Sequence, residues 1–221
     1  MRRLPLASDT PYYVSLGDAQ SRNTGSITGA ASAFYAHLTE LVPATKMIPL
    51  ASDGANAGAV RYVQLPRLRA MAVAPSVVTI TTGATDLPRL ASGDADAVCG
   101  ELAEHGGAAL SALRSLAPRA AVLLSTLYDP MDGASDVLAG GVRRFNETLR
   151  ALAASHGYRV ADAFTAFAGH GASAGDPLSP DATPEDTNRF LCAGADLVPV
   201  PNAHGAAFFA GTLWTTYNEE Q

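Results

Sequence analysis

The run Ser76-Val77-Val78-Thr79-Ile80-Thr81-Thr82 constrains the fold of this chain more than any other stretch. It is β-branched almost throughout, which suits a strand buried on both faces near the middle of a sheet. Such a strand needs helices above and below it, and the flanking sequence supplies them. Shorter strand-like runs stand at about 12 to 16, 47 to 50, 120 to 125 and 158 to 162. Between them the apolar positions repeat at helical spacing: about 30 to 41, 55 to 71 with a bend at Pro66, 94 to 116, and 135 to 156 with Gly157 as its stop. Pro49 places the second run at a sheet edge, because proline cannot donate to a strand ladder. Five strands alternating with helices predict an α/β fold with a parallel sheet and right-handed crossovers.

The 221 residues fit one domain spanning the chain, 1 to 221, with neither an internal repeat nor a composition break. With 48% apolar and 16% charged residues the chain is globular. Its net charge of -6 and lack of a Lys/Arg cluster exclude a nucleic-acid surface. No apolar run reaches bilayer length, so no membrane partner is expected. The opening Met1-Arg2-Arg3-Leu4-Pro5 lacks the apolar region of a secretory signal, which favours a cytoplasmic protein, with a trimmed secreted form as the alternative. Cys99 and Cys192 are either separate thiols or, in an oxidising compartment, a bridge. The five histidines and two cysteines lack metal-ligand spacing, and neither a P-loop nor GxGxxG is present, so no cofactor is expected.

Chemistry in a parallel α/β sheet collects where strands end. The first strand runs into Gly17-Asp18-Ala19-Gln20-Ser21, the second into Ser52-Asp53-Gly54, and the central one into Gly83-Ala84-Thr85-Asp86. Near the end stands Pro201-Asn202-Ala203-His204-Gly205. In type and order these four blocks resemble those of the SGNH, or GDSL-like, hydrolases. The resemblance implies a three-layer αβα sandwich with flavodoxin-like strand order 2-1-3-4-5. It also implies a site made of a serine nucleophile, a backbone and asparagine oxyanion hole, and an Asp-His pair.

Several of those positions differ here. Ala19 stands where the nucleophilic serine belongs, and a methyl group has no proton to lose and no lone pair with which to attack. Thr85 stands at the oxyanion asparagine. Aligned on Pro201-Asn202, Val200 occupies the histidine position; aligned on Asp196, Pro199 does. If Pro201 opens the last helix, His204 lies one turn beyond position 200 on the same face and is a displaced base.

The resemblance and its departures leave three readings open. The first is a repurposed small-molecule enzyme, a lyase, isomerase or cyclase of specialised metabolism, using noncovalent acid/base chemistry. The candidate catalytic groups are Asp53, His204, Asp18 and Asp86, with Gly17, Ala19, Gly54, Thr85, Asp196 and Asn202 lining the substrate site. Carboxylates crowded at a cleft are pushed toward neutral pKa values, which suits proton transfer. The second is an ester hydrolase or acyltransferase whose serine has been replaced by Ala19. The third is a catalytically inactive protein that binds a ligand or a partner. Residues 169 to 201, rich in Gly, Pro, Asp and Ser, read as a long loop over the site. The expected partner is a small molecule; the sequence fixes neither the substrate nor the oligomeric state.

Overall fold

The computed structural model describes residues 11–22, 28–171, 174, 191–193 and 199–219, with the side chains of Cys192 and Ala193 left out. In chain order the elements are β1 (Tyr12–Gly17), α1 (Ala30–Leu41), β2 (Lys46–Pro49), α2 (Ala57–Ala59), α3 (Leu65–Ala70), β3 (Pro75–Thr81), α4 (Leu87–Ala91), α5 (Ala95–Glu101), α6 (Gly107–Leu116), β4 (Ala121–Ser125), α7 (Asp136–His156), β5 (Arg159–Ala161), α8 (Ala163–Ala166), β6 (Leu191–Ala193), β7 (Pro199–Pro201) and α9 (Ala203–Asn218). Strands β1 to β5 form one parallel sheet in the order 2-1-3-4-5. β3 is buried at every position beside β1 and β4, as its β-branched run requires.

The period-2 alternation of the strands divides the interior into two cores. Val14, Leu16, Val78, Ile80, Val122 and Leu124 face α3, α6 and α7. Tyr13, Val77, Leu123 and Ala161 face α1 and α9, where Phe34, Phe209 and Leu213 meet them. Tyr13 brings its hydroxyl into this second core, and that hydroxyl lies 2.8 Å from the hydroxyl of Thr79 on the next strand. Burial pushes the Tyr13 phenol up, with the Thr79 contact opposing. Helix α7 starts at Ser135, whose hydroxyl accepts the Leu138 N–H, and stops at Gly157 in the left-handed region with φ +67°.

The structure departs from the sequence reading in three places. The helix expected from 55 to 71 is interrupted just before Pro66, where the chain widens into a π-helical turn at Val60–Gln64 and resumes as α3. Pro66 has no N–H to return to the preceding turn, and the wider turn meets that gap. A second π-helical turn, Leu102–Gly106, interrupts the helix expected from 94 to 116. Residues 169 to 201, read as loop, contain the antiparallel pair β6–β7, so Pro201 ends a strand and does not open α9. Asn202 caps α9, its Oδ1 accepting the Gly205 N–H at 2.9 Å.

Cys99 carries a free thiol, and the side chain of Cys192 lies outside the described residues. Among the described residues no helix is long and apolar enough to cross a membrane, and none gather into a group of three or more His, Cys, Asp or Glu side chains suited to a metal ion.

Candidate functional site

The end of β1 is tightly built. Gly17 has φ +107°, and a Cβ there would lie 1.7 Å from the backbone oxygen of Thr81, so only glycine fits. Gln64, presented by the first π-helical turn, clamps the same residue from the side. Its Oε1 accepts the Gly17 N–H at 2.7 Å and its Nε2 donates to the Gly17 carbonyl at 2.8 Å. A side-chain amide thus does what a neighbouring strand would do for a backbone unit.

Asp18 follows, fully buried. One carboxylate oxygen accepts the Gln20 N–H; the other accepts the Gln20 side-chain amide and the Ala84 N–H, all at 3.0 to 3.1 Å. Burial raises its pKa, and these hydrogen bonds work the other way. The Ala84 bond ties the turn after β1 to the turn after β3, so Asp18 holds two loops of the site in register. Ala19 stands half-buried on that turn.

The other candidate residues fall into separate environments. Asp53 is exposed and pairs with Arg22 at 2.7 Å. Gly54 is exposed, with φ +69°. Thr85 donates its hydroxyl to the Ala55 carbonyl at 3.3 Å, tying the turn after β3 to the loop after β2. His204 is exposed as the second residue of α9, whereas Val200 is buried in β7. The two therefore share no helical face, and the one-turn displacement expected for His204 is corrected: the helix begins after Asn202. Asp196 lies outside the described residues.

Asp86 is the carboxylate that the fold does not use up. Only 7% of it is exposed, yet its carboxylate oxygens accept no hydrogen bond from the described residues. Its pKa is raised to about 6, first by burial and then by the nearby negative charges of Asp18 and Glu101, with Arg89 opposing. It opens onto a narrow cleft of about 10 Å³, room for about one water, lined by Asn56, Gly58, Glu101, His105 and Phe145. Glu101 is held low by its two hydrogen bonds from Arg89, at 2.8 and 3.0 Å. His105 packs against Tyr62, with its Nδ1 3.2 Å from the Arg61 guanidinium. Asn56 caps α2 through its Oδ1, which accepts the Ala59 N–H at 3.1 Å.

Sequence reasoning missed Asn56, Gln64, Glu101 and His105. Asn56 carried a legible signal, an Asn directly before a helix. The other three depend on the two π-helical turns and carried none.

The fold and the loop cluster at the strand ends define an αβα hydrolase-type sandwich with its candidate site across β1 and β3. Residues 16–188 match the model of the GDSL-like lipase/acylhydrolase family, and the chain belongs to that family. Its fold is similar to that of an extracellular lipase from Streptomyces rimosus, at 20% identity with a TM-score of 0.66, covering 94% of this chain and 100% of that one. A phospholipase A1 from Streptomyces albidoflavus is similar at 19% identity and a TM-score of 0.67, covering 94% and 99%. A variant of an acetyl xylan esterase from Geobacillus stearothermophilus gives 14% identity and a TM-score of 0.70, covering 96% of each chain. No match was found among curated proteins.

Proposed function

We propose that this chain is a small-molecule enzyme of the GDSL fold that transfers protons without forming a covalent intermediate, with Asp86 as the acid/base. The observation that carries this reading is a carboxyl group nearly buried, free of hydrogen bonds from the described residues, and poised at a pKa of about 6 beside a cleft. At pH 7 such a group is about nine-tenths carboxylate. It takes a proton from a substrate carbon or oxygen and, as the acid, returns it to another atom. An isomerisation, elimination or ring closure is balanced by that exchange alone. Asp18 holds the turn, Asp53 is paired with Arg22 at the surface, and His204 points to solvent, so Asp86 is the strongest of the four carboxylate and imidazole candidates.

A second reading rests on the intact turn around Asp18. The relatives in fold bear the names of a lipase, a phospholipase and an esterase, and a serine at 19 would give this turn the nucleophile it lacks. One pair of measurements separates the two. Residue-specific carbon NMR of the Asp carboxyls should find Asp86 titrating near pH 6, and Ala19→Ser should leave p-nitrophenyl acetate and butyrate hydrolysis at background. Ester turnover in Ala19→Ser, with Asp86 titrating as an ordinary carboxylate, overturns the proton-transfer reading in favour of the hydrolase.

A further inference from the structure

Folding gathers arginines toward the edge of the sheet where the strands begin, away from the edge that carries Gly17, Asp18 and Asp86. Helix α3 leads into β3 and α6 leads into β4, and these two strands pair in parallel with Val77 beside Ala121. The two helices pack side by side on one face of the sheet, α3 through Leu65 and Leu68 and α6 through Ala109, Leu110 and Leu113. Their outer sides and the connections that follow them form one surface. It carries Arg67, Arg69, Arg114 and Arg119, all exposed.

None of these four arginines has an acid partner among the described residues. The acids of α5 and of the π-helical turn after it are already engaged: Asp94 and Glu101 by Arg89, Asp96 by Arg144, and Glu104 by Arg61. From 54 to 85 and from 105 to 128 the chain contains neither Asp nor Glu. In a chain of net charge -6 this surface reverses the sign locally. The acids elsewhere are screened over roughly 8 Å at physiological salt, so they do not cancel it.

Apolar side chains stand among the charges. Six large apolar side chains are exposed among the described residues, and three of them, Tyr62, Val63 and Met71, fall between 62 and 71. The Arg61 guanidinium lies 4.7 Å from the centre of the Tyr62 ring and steadies it at the surface. Arg67 and Arg69 come between Val63 and Met71 in a stretch that extends roughly 14 Å at helical rise. A single small anion does not meet charges spread over that length. A nucleic-acid backbone would meet them and leave Val63 and Met71 in water. An anionic headgroup layer over acyl chains meets both: the guanidiniums lie at the level of the phosphates, and the tyrosine, valine and methionine enter the boundary beneath. Lying on a bilayer in this way needs no apolar run of spanning length.

We propose that the outer face of α3 and α6 docks this protein on a membrane surface rich in anionic phospholipid. The surface is separate from the proton-transfer reading of Asp86 and stands or falls without it.

The test sediments the whole chain at physiological salt with vesicles of phosphatidylcholine alone, or of roughly seven parts phosphatidylcholine to three of phosphatidylserine. The mixed vesicles should bind it at least about tenfold more tightly than the neutral ones. Arg67→Gln and Arg69→Gln should each weaken that binding about fivefold, the worth of one basic side chain at an anionic surface, and Met71→Ser about threefold. Arg22→Gln and Met131→Ser remove the same chemistry beyond the ends of β1 and β4, at the far edge of the sheet, and should change binding less than about twofold. All five side chains are exposed, and circular dichroism checks that each variant is folded. The proposal is overturned if neutral and mixed vesicles bind alike, if neither binds, or if folded Arg67→Gln and Arg69→Gln bind as the parent does. Binding of poly-L-glutamate or of an oligonucleotide, with none of the vesicles, also overturns it and assigns the face to an acidic protein or to a nucleic acid.

Discussion

Replacing Asp86 with asparagine should stabilise this protein, and by an amount that grows with pH. The carboxyl group has a folded-state pKa of about 6 against an ordinary value of 3.8. Because the folded state binds this proton more tightly, the group favours folding least when it is ionised. Its contribution is most favourable below the unfolded value, declines as pH rises from about 4 to about 6, and stays at its worst above that. Two units correspond to about 3 kcal/mol of destabilisation at neutral pH. Between pH 5 and pH 7.5 the change from this group alone is ~1.4 kcal/mol. Asparagine keeps the shape and has no proton to lose. Urea denaturation of both proteins at the two pH values isolates the effect, since the other titrating groups cancel to first order in the difference. The gap between Asp86→Asn and the parent should widen by about that amount on going to pH 7.5. An equal gap at both values would mean that Asp86 titrates as an ordinary carboxylate, and the assignment of a near-neutral acid at the end of β3 would fall with it.

Three further outcomes follow from the geometry. Gly17→Ala places a methyl 1.7 Å from the Thr81 carbonyl oxygen at φ +107°, and with backbone on both sides of the clash it should cost more than about 3 kcal/mol in a urea melt, or fail to fold. Gln64→Leu leaves the Gly17 N–H without its side-chain acceptor, while the Gly17 C=O keeps the Ser52 N–H at 3.0 Å; a loss of about 1–3 kcal/mol is expected, and a loss below about 0.5 kcal/mol in the same assay would mean that the clamp is dispensable. Asp132 accepts the Gly169 and Gly171 N–H groups at 3.0 Å, so in Asp132→Ala those two amides should exchange with solvent deuterium much faster than in the parent, while amides in β3 keep their protection.

Burial and period made most of the architecture legible. β3 announces itself by β-branching, and α7 by its cap, its apolar stripe and its terminal glycine, because these features arise within the element itself. What was not legible depends on contacts between elements. The β6–β7 pair has three residues per strand and two prolines in β7, too short to show alternation. The π-helical turns add a residue to a helical turn without changing the apolar pattern, yet one of them decides that Gln64 reaches Gly17. Asp53 had no visible duty in the sequence because its partner, Arg22, lies 31 positions away.

The same distinction separates the carboxylates of the site. Asp18 and Asp86 both follow glycine after a buried strand, and sequence reading treats them alike. The structure separates them by where the N–H groups lie. Asp18 faces Gln20 and Ala84, and its lone pairs go to holding the turn on which Ala19 stands. Asp86 starts a short helix whose second residue is Pro88, and a proline offers no N–H to a capping carboxylate. Its side chain makes no cap and stays at the cleft, where burial, opposed by the Arg89 guanidinium and aided by the charges of Asp18 and Glu101, raises its proton affinity. Asp18 holds the turn after β1, and the turn after β3 carries a nearly buried carboxyl group of raised proton affinity. Under the proposed function, chemistry passes from the first turn to the second while the same sheet positions both.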